Sequence, residues 1–147
     1  MPALFDTGAL ELLRRRNRRV EALALKLFPP VVCPQVVGEY LFGLFQLRVE
    51  DSTLLAARIF LAPFETLTPT PRTPDLCAQL RASLPAREHA VPESICWVAA
   101  HALEQGLPVV TTDRQFRRLP GLQVHLVVPM AAPTGEEKRR PALAGRL

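Results

Sequence analysis

The sequence predicts an α/β domain in which helices cover a mostly parallel sheet. Short apolar runs with strand character alternate with longer segments of helical periodicity along most of the chain. Strands that alternate with helices usually pair in parallel, because each helix carries the chain back to the start of the next strand. At 147 residues and 48% hydrophobic content, the chain has the length and apolar character of about one domain.

The first half of the chain begins with a strand and contains three predicted helices. In chain order we expect a strand at 3–5, a helix at about 9–27, a buried strand at 31–33, a helix from 34 to about 47, and a helix from 51 to about 60. Pro29 and Pro30 end the first helix, and Pro34 suits the first turn of the second. Asp51 and Ser52 are suitable caps for the third helix.

The second half follows the same alternation after a turn-rich segment. We expect a strand at 64–67, a loop at 68–74, helices at 75–84 and about 93–105, and strands at 108–112 and 123–128. Gly106 is a typical C-terminal cap. The domain is expected to occupy residues 1–129, and residues 130–147 are predicted to be a flexible tail rich in Pro, Gly, Ala and charge.

Three carboxylates are the strongest candidates for chemistry, because each is set in an apolar segment that should be buried. Asp6 and Asp113 each end a predicted strand, and Glu39 lies on the predicted inner side of the second helix. Burying an ionised acid is unfavourable unless it meets a cation, a metal or a cleft. The carboxyl ends of parallel strands share one edge, where ligands bind. The three acids are therefore predicted to converge in one cleft and to form a metal site.

The basic residues are almost all arginine, since only Lys26 and Lys138 are lysine. The arginine run consists of Arg14, Arg15, Arg16, Arg18 and Arg19. The guanidinium group binds phosphates bidentately, so the run is suited to a polyanion such as RNA or to an acidic partner. A solvated helix face is an equally good explanation.

Other sequence features limit the class of protein. No apolar run reaches the roughly 20 residues of a membrane-spanning helix, and Asp6 interrupts the N-terminal apolar stretch, so we expect a cytoplasmic protein without a membrane partner. Cys33, Cys77 and Cys96 lack the spacing of a zinc site and are expected to be reduced thiols in the core.

The order of several motifs resembles the PIN domain of the VapC toxin type. The motifs are LFDTGAL at 4–10, Glu39 in the second long helix, VPESICWVAAHAL at 91–103, VTTDRQF at 110–116 and LPGL at 119–122. The resemblance covers about residues 3–128. It implies a three-layer α/β/α sandwich, usually a homodimer, that holds Mg²⁺ or Mn²⁺ in an acidic pocket, cleaves RNA and is often restrained by a small antitoxin.

The resemblance assigns catalytic and metal-binding roles to Asp6, Glu39 and Asp113. Hard oxygen ligands suit Mg²⁺ and Mn²⁺, which activate a water and neutralise phosphate charge. The arginine run and Arg114 are the expected RNA contacts.

One position departs from the family pattern. Ile95 stands where the helix of the third motif normally carries an aspartate, and Gln115 stands where a further acid is frequent. Glu93 is the nearest carboxylate and would replace the missing ligand only by bending inward from the first turn of the helix, because two residues along a helix correspond to about 200° of rotation. Its alternative role is to complement the helix dipole. Two functions therefore remain open: a metal-dependent ribonuclease, and a degenerate, non-catalytic PIN module that binds a partner copy, an antitoxin or RNA.

The apolar residues of the second and third helices exceed what one buried face requires. The candidates for exposure are Leu41, Phe42, Phe45, Leu47, Leu54 and Leu55. An isologous dimer would bury them, so the sequence predicts self-association.

Overall fold

The computed structural model describes residues 1–85 and 91–128, and in this part of the chain five short strands form one parallel sheet. The elements are β1 (Ala3–Phe5), α1 (Thr7–Arg14), α2 (Arg18–Lys26), β2 (Pro30–Val32), α3 (Pro34–Gln46), α4 (Asp51–Leu61), β3 (Glu65–Thr66), α5 (Arg72–Ser83), α6 (Glu93–Gln105), β4 (Val109–Thr111), a 3₁₀ helix (Arg114–Arg118) and β5 (Val124–Leu126). The predicted α/β class is confirmed.

The strand order is β3-β2-β1-β4-β5, with every neighbouring pair parallel. From β1 the chain moves outward to β2 and β3, then crosses back to β4 and moves outward to β5 on the other side. The neighbours β1 and β4 therefore send their connections in opposite directions. In open parallel sheets the crevice at such a switch point, beyond the carboxyl ends of the strands, is where ligands bind.

Helices cover both faces of this sheet, as a three-layer α/β/α sandwich requires. Successive side chains of a strand point to opposite faces, yet Ala3, Leu4 and Phe5 of β1 are all fully buried. Val109 and Val110 of β4 are equally buried. Continuous apolar burial of this kind is typical of parallel strands enclosed on both sides.

The predicted helix at 9–27 is wrong, because two helices occupy this stretch. Arg16 adopts a positive φ of 60°, which a regular right-handed helix does not accommodate. Asn17 then begins α2, since its side-chain oxygen accepts hydrogen bonds from the backbone N–H groups of Arg19 and Val20. The first helix also starts earlier than predicted, at Thr7, because Asp6 caps it.

The remaining differences concern boundaries and one short helix. The segment 68–74 was predicted to be a loop, but α5 begins within it at Arg72. Pro74 is compatible with that first turn, where a backbone N–H has no partner in the helix. The 3₁₀ helix at Arg114–Arg118 was not predicted.

The three cysteines are free and buried, as predicted. None of the described helices combines the length and the apolar character needed to cross a bilayer. The predicted tail at 130–147 lies outside the described residues.

Candidate active site

A cavity of about 310 Å³ opens at the switch point between β1 and β4. Its lining consists of Asp6, Thr7, Gly8, Val36, Glu39, Pro92, Ser94, Ile95, Val98, Thr112, Asp113 and Phe116. The structure thus brings the three predicted acids to one cavity from three separate elements. None of the described residues that line it is basic. Among the described residues, therefore, no basic side chain accompanies the carboxylates there.

Asp6 is the most buried of the three acids, with 8% of its surface exposed. It follows β1 directly, and its Oδ1 caps α1 by accepting a hydrogen bond from the Ala9 backbone N–H at 2.8 Å. Its Oδ2 accepts a hydrogen bond from the Thr111 hydroxyl. Both carboxylate oxygens are therefore held by neighbouring elements.

The environment of Asp6 favours its protonated form. Burial, the largest cause, raises the pKa of the carboxyl from 3.8 to about 6. The hydrogen bonds from Thr111 and Ala9 lower the pKa in part, whereas the charges of Asp113 and Glu39 raise it further. The two charges that raise it belong to the other acids of the same cavity.

Asp113 follows β4 and caps the 3₁₀ helix. Its Oδ1 accepts from the backbone N–H of Gln115 at 2.9 Å, and its Oδ2 accepts from the side-chain Nε2 of the same residue at 3.3 Å. Gln115, which stands where the family pattern frequently has an acid, therefore orients Asp113 instead of adding a charge.

Glu39 lies at the rim of the cavity, and the prediction that it would be buried is wrong. Its side chain is exposed, whereas Val36 and Tyr40 of the same helix are buried. Because α3 turns Val36 and Tyr40 toward the core, the exposed side chain of Glu39 reaches the cavity only from its edge.

Ile95 forms part of the apolar wall of the cavity together with Val98. Ile95 is 8% exposed, so an aliphatic side chain occupies the place where the resemblance expects a carboxylate. Among residues 1–85 and 91–128, no group of three or more His, Cys, Asp or Glu side chains is close enough to hold a metal ion as it stands.

Glu93 does not line the cavity. Its Oε1 lies 3.3 Å from Nη1 of Arg81 and 3.3 Å from Nε1 of Trp97. The carboxylate is therefore directed toward α5, away from Asp6 and Asp113. These contacts, and its position in the first turn of α6, favour a structural role over the predicted role as a metal ligand.

The chemistry of the lining nevertheless fits a hard divalent cation. Asp6, Asp113 and Glu39 offer only oxygen donors, which Mg²⁺ and Mn²⁺ prefer, and the described part of the lining includes no competing cation. Two of these acids are already oriented by hydrogen bonds, just as hydrogen-bond partners orient metal ligands in other metal sites. Glu39 at the rim would have to turn inward to join them.

The arginine run lies at the far end of α1, about 12 Å of helical rise from its start at the cavity. Arg14 and Arg15 form ion pairs with Glu11, and Arg16 forms one with Glu21. Arg18 and Arg19 are exposed at the start of α2, and Arg114 is exposed beside Asp113 without lining the cavity. The predicted RNA contacts are therefore exposed on the surface, and none of them lines the cavity.

Sequence reasoning missed the hydroxyl residues around the acids. Thr111 contacts Asp6, and a Cβ atom on Gly8 would lie 2.1 Å from the Thr112 hydroxyl, so the start of α1 approaches the end of β4 closely. The available signal was the Thr111-Thr112 pair directly before Asp113 at a strand end.

Comparison with known proteins identifies the family. The PIN domain family model matches residues 3–122. A search of curated proteins returned no match.

Solved structures with the same fold include complexes from three bacteria. VapBC2 from Rickettsia felis, bound to a DNA fragment from their promoter, contains a chain that matches with a TM-score of 0.74 at 17% identity, covering 86% of this chain and 99% of that chain. DNA-bound VapBC from Salmonella typhimurium gives 0.73 at 22% identity, with coverages of 85% and 98%. VapBC-5 from Mycobacterium tuberculosis, a member of the VapBC family of toxin-antitoxin systems, gives 0.63 at 25% identity, with coverages of 86% and 97%. Because the family model spans most of the chain, this protein belongs to the PIN domain family.

Proposed function

We propose that this PIN domain is a metal-dependent ribonuclease of the toxin-antitoxin type, which cleaves RNA phosphodiester bonds with a metal-activated water. The observation that carries the proposal is the cavity at the β1/β4 switch point, where Asp6, Glu39 and Asp113 meet with no basic residue in the described lining. An uncompensated group of acids in a cleft is characteristic of a functional site rather than of a structural ion pair.

Each acid has a distinct part in this proposal. Asp6 and Asp113 are fixed by hydrogen bonds and present oriented oxygens to the cavity. Glu39 at the exposed rim can turn toward an incoming ion or orient a water. When bound, Mg²⁺ or Mn²⁺ supplies the Lewis acidity that activates water and offsets phosphate charge. The apolar wall formed by Ile95 and Val98 excludes solvent from one side of the cavity.

A non-catalytic PIN module is the second candidate function. Ile95 favours it, because this side chain removes one carboxylate from the cavity wall, and the described residues hold no preformed group of three ligands. Such a module would keep the fold and its binding surfaces without cleaving RNA.

A metal titration distinguishes the two functions. We expect Mn²⁺ to bind the wild-type protein in calorimetry and to support cleavage of single-stranded RNA, with both activities lost in Asp6→Asn and Asp113→Asn and weakened in Glu39→Gln. Asp51→Asn, at an exposed aspartate that begins α4, is the matched control and should behave as wild type. Wild-type protein that neither binds Mn²⁺ nor cleaves RNA would leave the non-catalytic module as the better explanation.

RNA and a small antitoxin are the proposed macromolecular partners. Exposed arginines suit the RNA backbone, although Glu11 and Glu21 already pair with three members of the run. We expect reversal of charge at Arg18 and Arg19, for which the described residues show no ion pair, to weaken RNA binding and to reduce its salt dependence. Two of the structural matches are DNA-bound VapBC complexes, which supports an antitoxin as partner.

A homodimer is proposed from the exposed apolar surface of α3, α4 and their connection. Phe42, Phe45, Leu47 and Leu55 are exposed, from 54% for Phe45 to 76% for Leu47, whereas Leu41 and Leu54 are half-buried. Light scattering at micromolar concentration should give twice the monomer mass, and Phe42→Ser combined with Phe45→Ser should give the monomer. A monomeric wild-type mass would contradict the dimer.

A further inference from the structure

We infer that Thr111 is a positioning residue that fixes the geometry between Asp6 and Asp113 through its single hydroxyl group. The inference rests on the proposed function, in which these two acids act together. Three observations carry it: the hydrogen bonds of Thr111, its complete burial, and the register of β1 against β4.

The Thr111 hydroxyl connects both acids directly. Its Oγ1 donates a hydrogen bond to Oδ2 of Asp6 and accepts one from the backbone N–H of Asp113 at 2.9 Å. A hydroxyl has one donor hydrogen and two acceptor lone pairs, so these two bonds define the orientation of the group. Because the donor hydrogen is directed at Asp6, Oδ2 is held as an acceptor in one orientation.

The register of the sheet explains how Thr111 can contact both Asp6 and Asp113. Thr111 and Asp6 are 105 residues apart in sequence, but β1 and β4 pair in parallel with Phe5 opposite Val110. The next positions along the two strands are therefore Asp6 and Thr111. The backbone N–H of Asp6 also donates to the Val110 carbonyl at 3.0 Å. Backbone hydrogen bonds thus set the register of the two strand ends without any side-chain contact.

Because Thr111 is completely buried, its hydroxyl group is needed for the hydrogen bonds of Asp6 and Asp113. Thr111 is 0% exposed, so water does not replace a lost hydrogen bond easily. Replacing threonine by valine keeps the side-chain shape but leaves the Asp113 N–H without an acceptor and Asp6 Oδ2 without a donor. Within the described part of the chain, Asp6 would then keep only its bond to the Ala9 N–H, and its carboxylate would be free to rotate about that contact.

The test compares Thr111→Val with Thr111→Ser, with Thr66→Val on the edge strand β3 as the matched control. Thermal unfolding first establishes that all variants fold. Residues that hydrogen-bond to metal ligands typically contribute about 10- to 100-fold in metal affinity or activity. We therefore expect Mn²⁺ affinity and kcat/KM for RNA cleavage to fall by about 10- to 100-fold in Thr111→Val. Both should recover to within a few-fold of wild type in Thr111→Ser and remain unchanged in Thr66→Val.

Crystal structures of the metal-free variants separate this inference from the proposed function. We expect the Asp6 carboxylate or the Asp113 backbone to shift in Thr111→Val and to keep the wild-type position in Thr111→Ser. Unshifted acids in Thr111→Val would overturn the inference, as would a valine variant that loses thermal stability while retaining Mn²⁺ affinity. If wild-type protein binds no Mn²⁺ but the acids still shift in Thr111→Val, the ribonuclease proposal fails and the positioning role of Thr111 stands.

Discussion

Replacing Asp6 by asparagine should stabilise the metal-free protein at neutral pH, although the same change should abolish metal binding. The carboxylate of Asp6 is almost fully buried, and its pKa is raised to about 6 mainly by that burial. Asparagine remains a good N-cap, so its side-chain oxygen can still accept from the Ala9 N–H. Its amide nitrogen would then face the Thr111 hydroxyl, which has a lone pair available as an acceptor.

The magnitude follows from the difference between the folded and unfolded pKa of Asp6. The folded state binds the proton more tightly, so the free energy of unfolding falls as the pH rises from about 4 to about 6 and stays lower above that range. A shift of about two pKa units corresponds to at most about 3 kcal/mol at pH 7.5. We therefore expect Asp6→Asn to gain about 1 to 3 kcal/mol at pH 7.5 and almost nothing at pH 4.

Urea unfolding in the presence of a chelator measures this effect at the two pH values. Asp51→Asn, at the exposed start of α4, should give no gain at either pH and serves as the control. Saturating Mn²⁺ should stabilise the wild type but not Asp6→Asn, because a ligand that binds only the folded state raises its stability. The reasoning is refuted if Asp6→Asn is destabilised at pH 7.5, or if its effect does not change with pH.

Three further substitutions test other parts of the structure. Ile95→Asp should raise Mn²⁺ affinity because it adds a carboxylate, and it should lower metal-free stability because the added acid is repelled by its neighbours. Ile95→Asn is the uncharged control, and equal Mn²⁺ affinity in both variants would contradict the charge argument. Gly8→Ala should lower the free energy of unfolding by about 1 to 3 kcal/mol, because its Cβ would overlap the Thr112 hydroxyl. In the same urea assay, Gly43→Ala in α3 should be neutral or stabilising, because a Cβ there meets nothing within 4 Å. Asn17→Ala should reduce stability by about 1 kcal/mol through loss of the α2 cap, and an unchanged urea midpoint would argue against the observed break between α1 and α2.

Local signals in the sequence were sufficient for most of the elements. The apolar strand at 3–5 and the helix at 93–105 with its Gly106 cap match the structure, because alternation, helical periodicity and capping act over a few residues. The break at Arg16 was also signalled locally, since Asn17 is a strong N-cap, but the continuous apolar spacing from Leu10 to Leu27 concealed it.

The sequence also located two acids at strand ends, and the parallel arrangement of β1 and β4 brings Asp6 and Asp113 to the same cavity. The sequence was less informative about the directions in which the side chains of Glu39 and Glu93 point. Glu39 was expected on the buried side of α3 but is exposed at the rim, because the packing of Val36 and Tyr40 determines the rotation of the helix. Glu93 was predicted to be a metal ligand. Its carboxylate instead points toward Arg81, a direction that only the packing of α6 against α5 sets.

By itself, then, the sequence determined the alternation of strands and helices, the family motifs and the identity of the candidate acids. Only the tertiary structure decided how those acids are held: Thr111 meets Asp6 across 105 residues of chain, and Gly8 allows α1 to approach Thr112 closely. The physical reason is the separation along the chain between the residues that interact. Periodicity and capping are properties of neighbouring residues, whereas the partners of a buried carboxylate depend on strand order and register, which are set by packing of the whole domain.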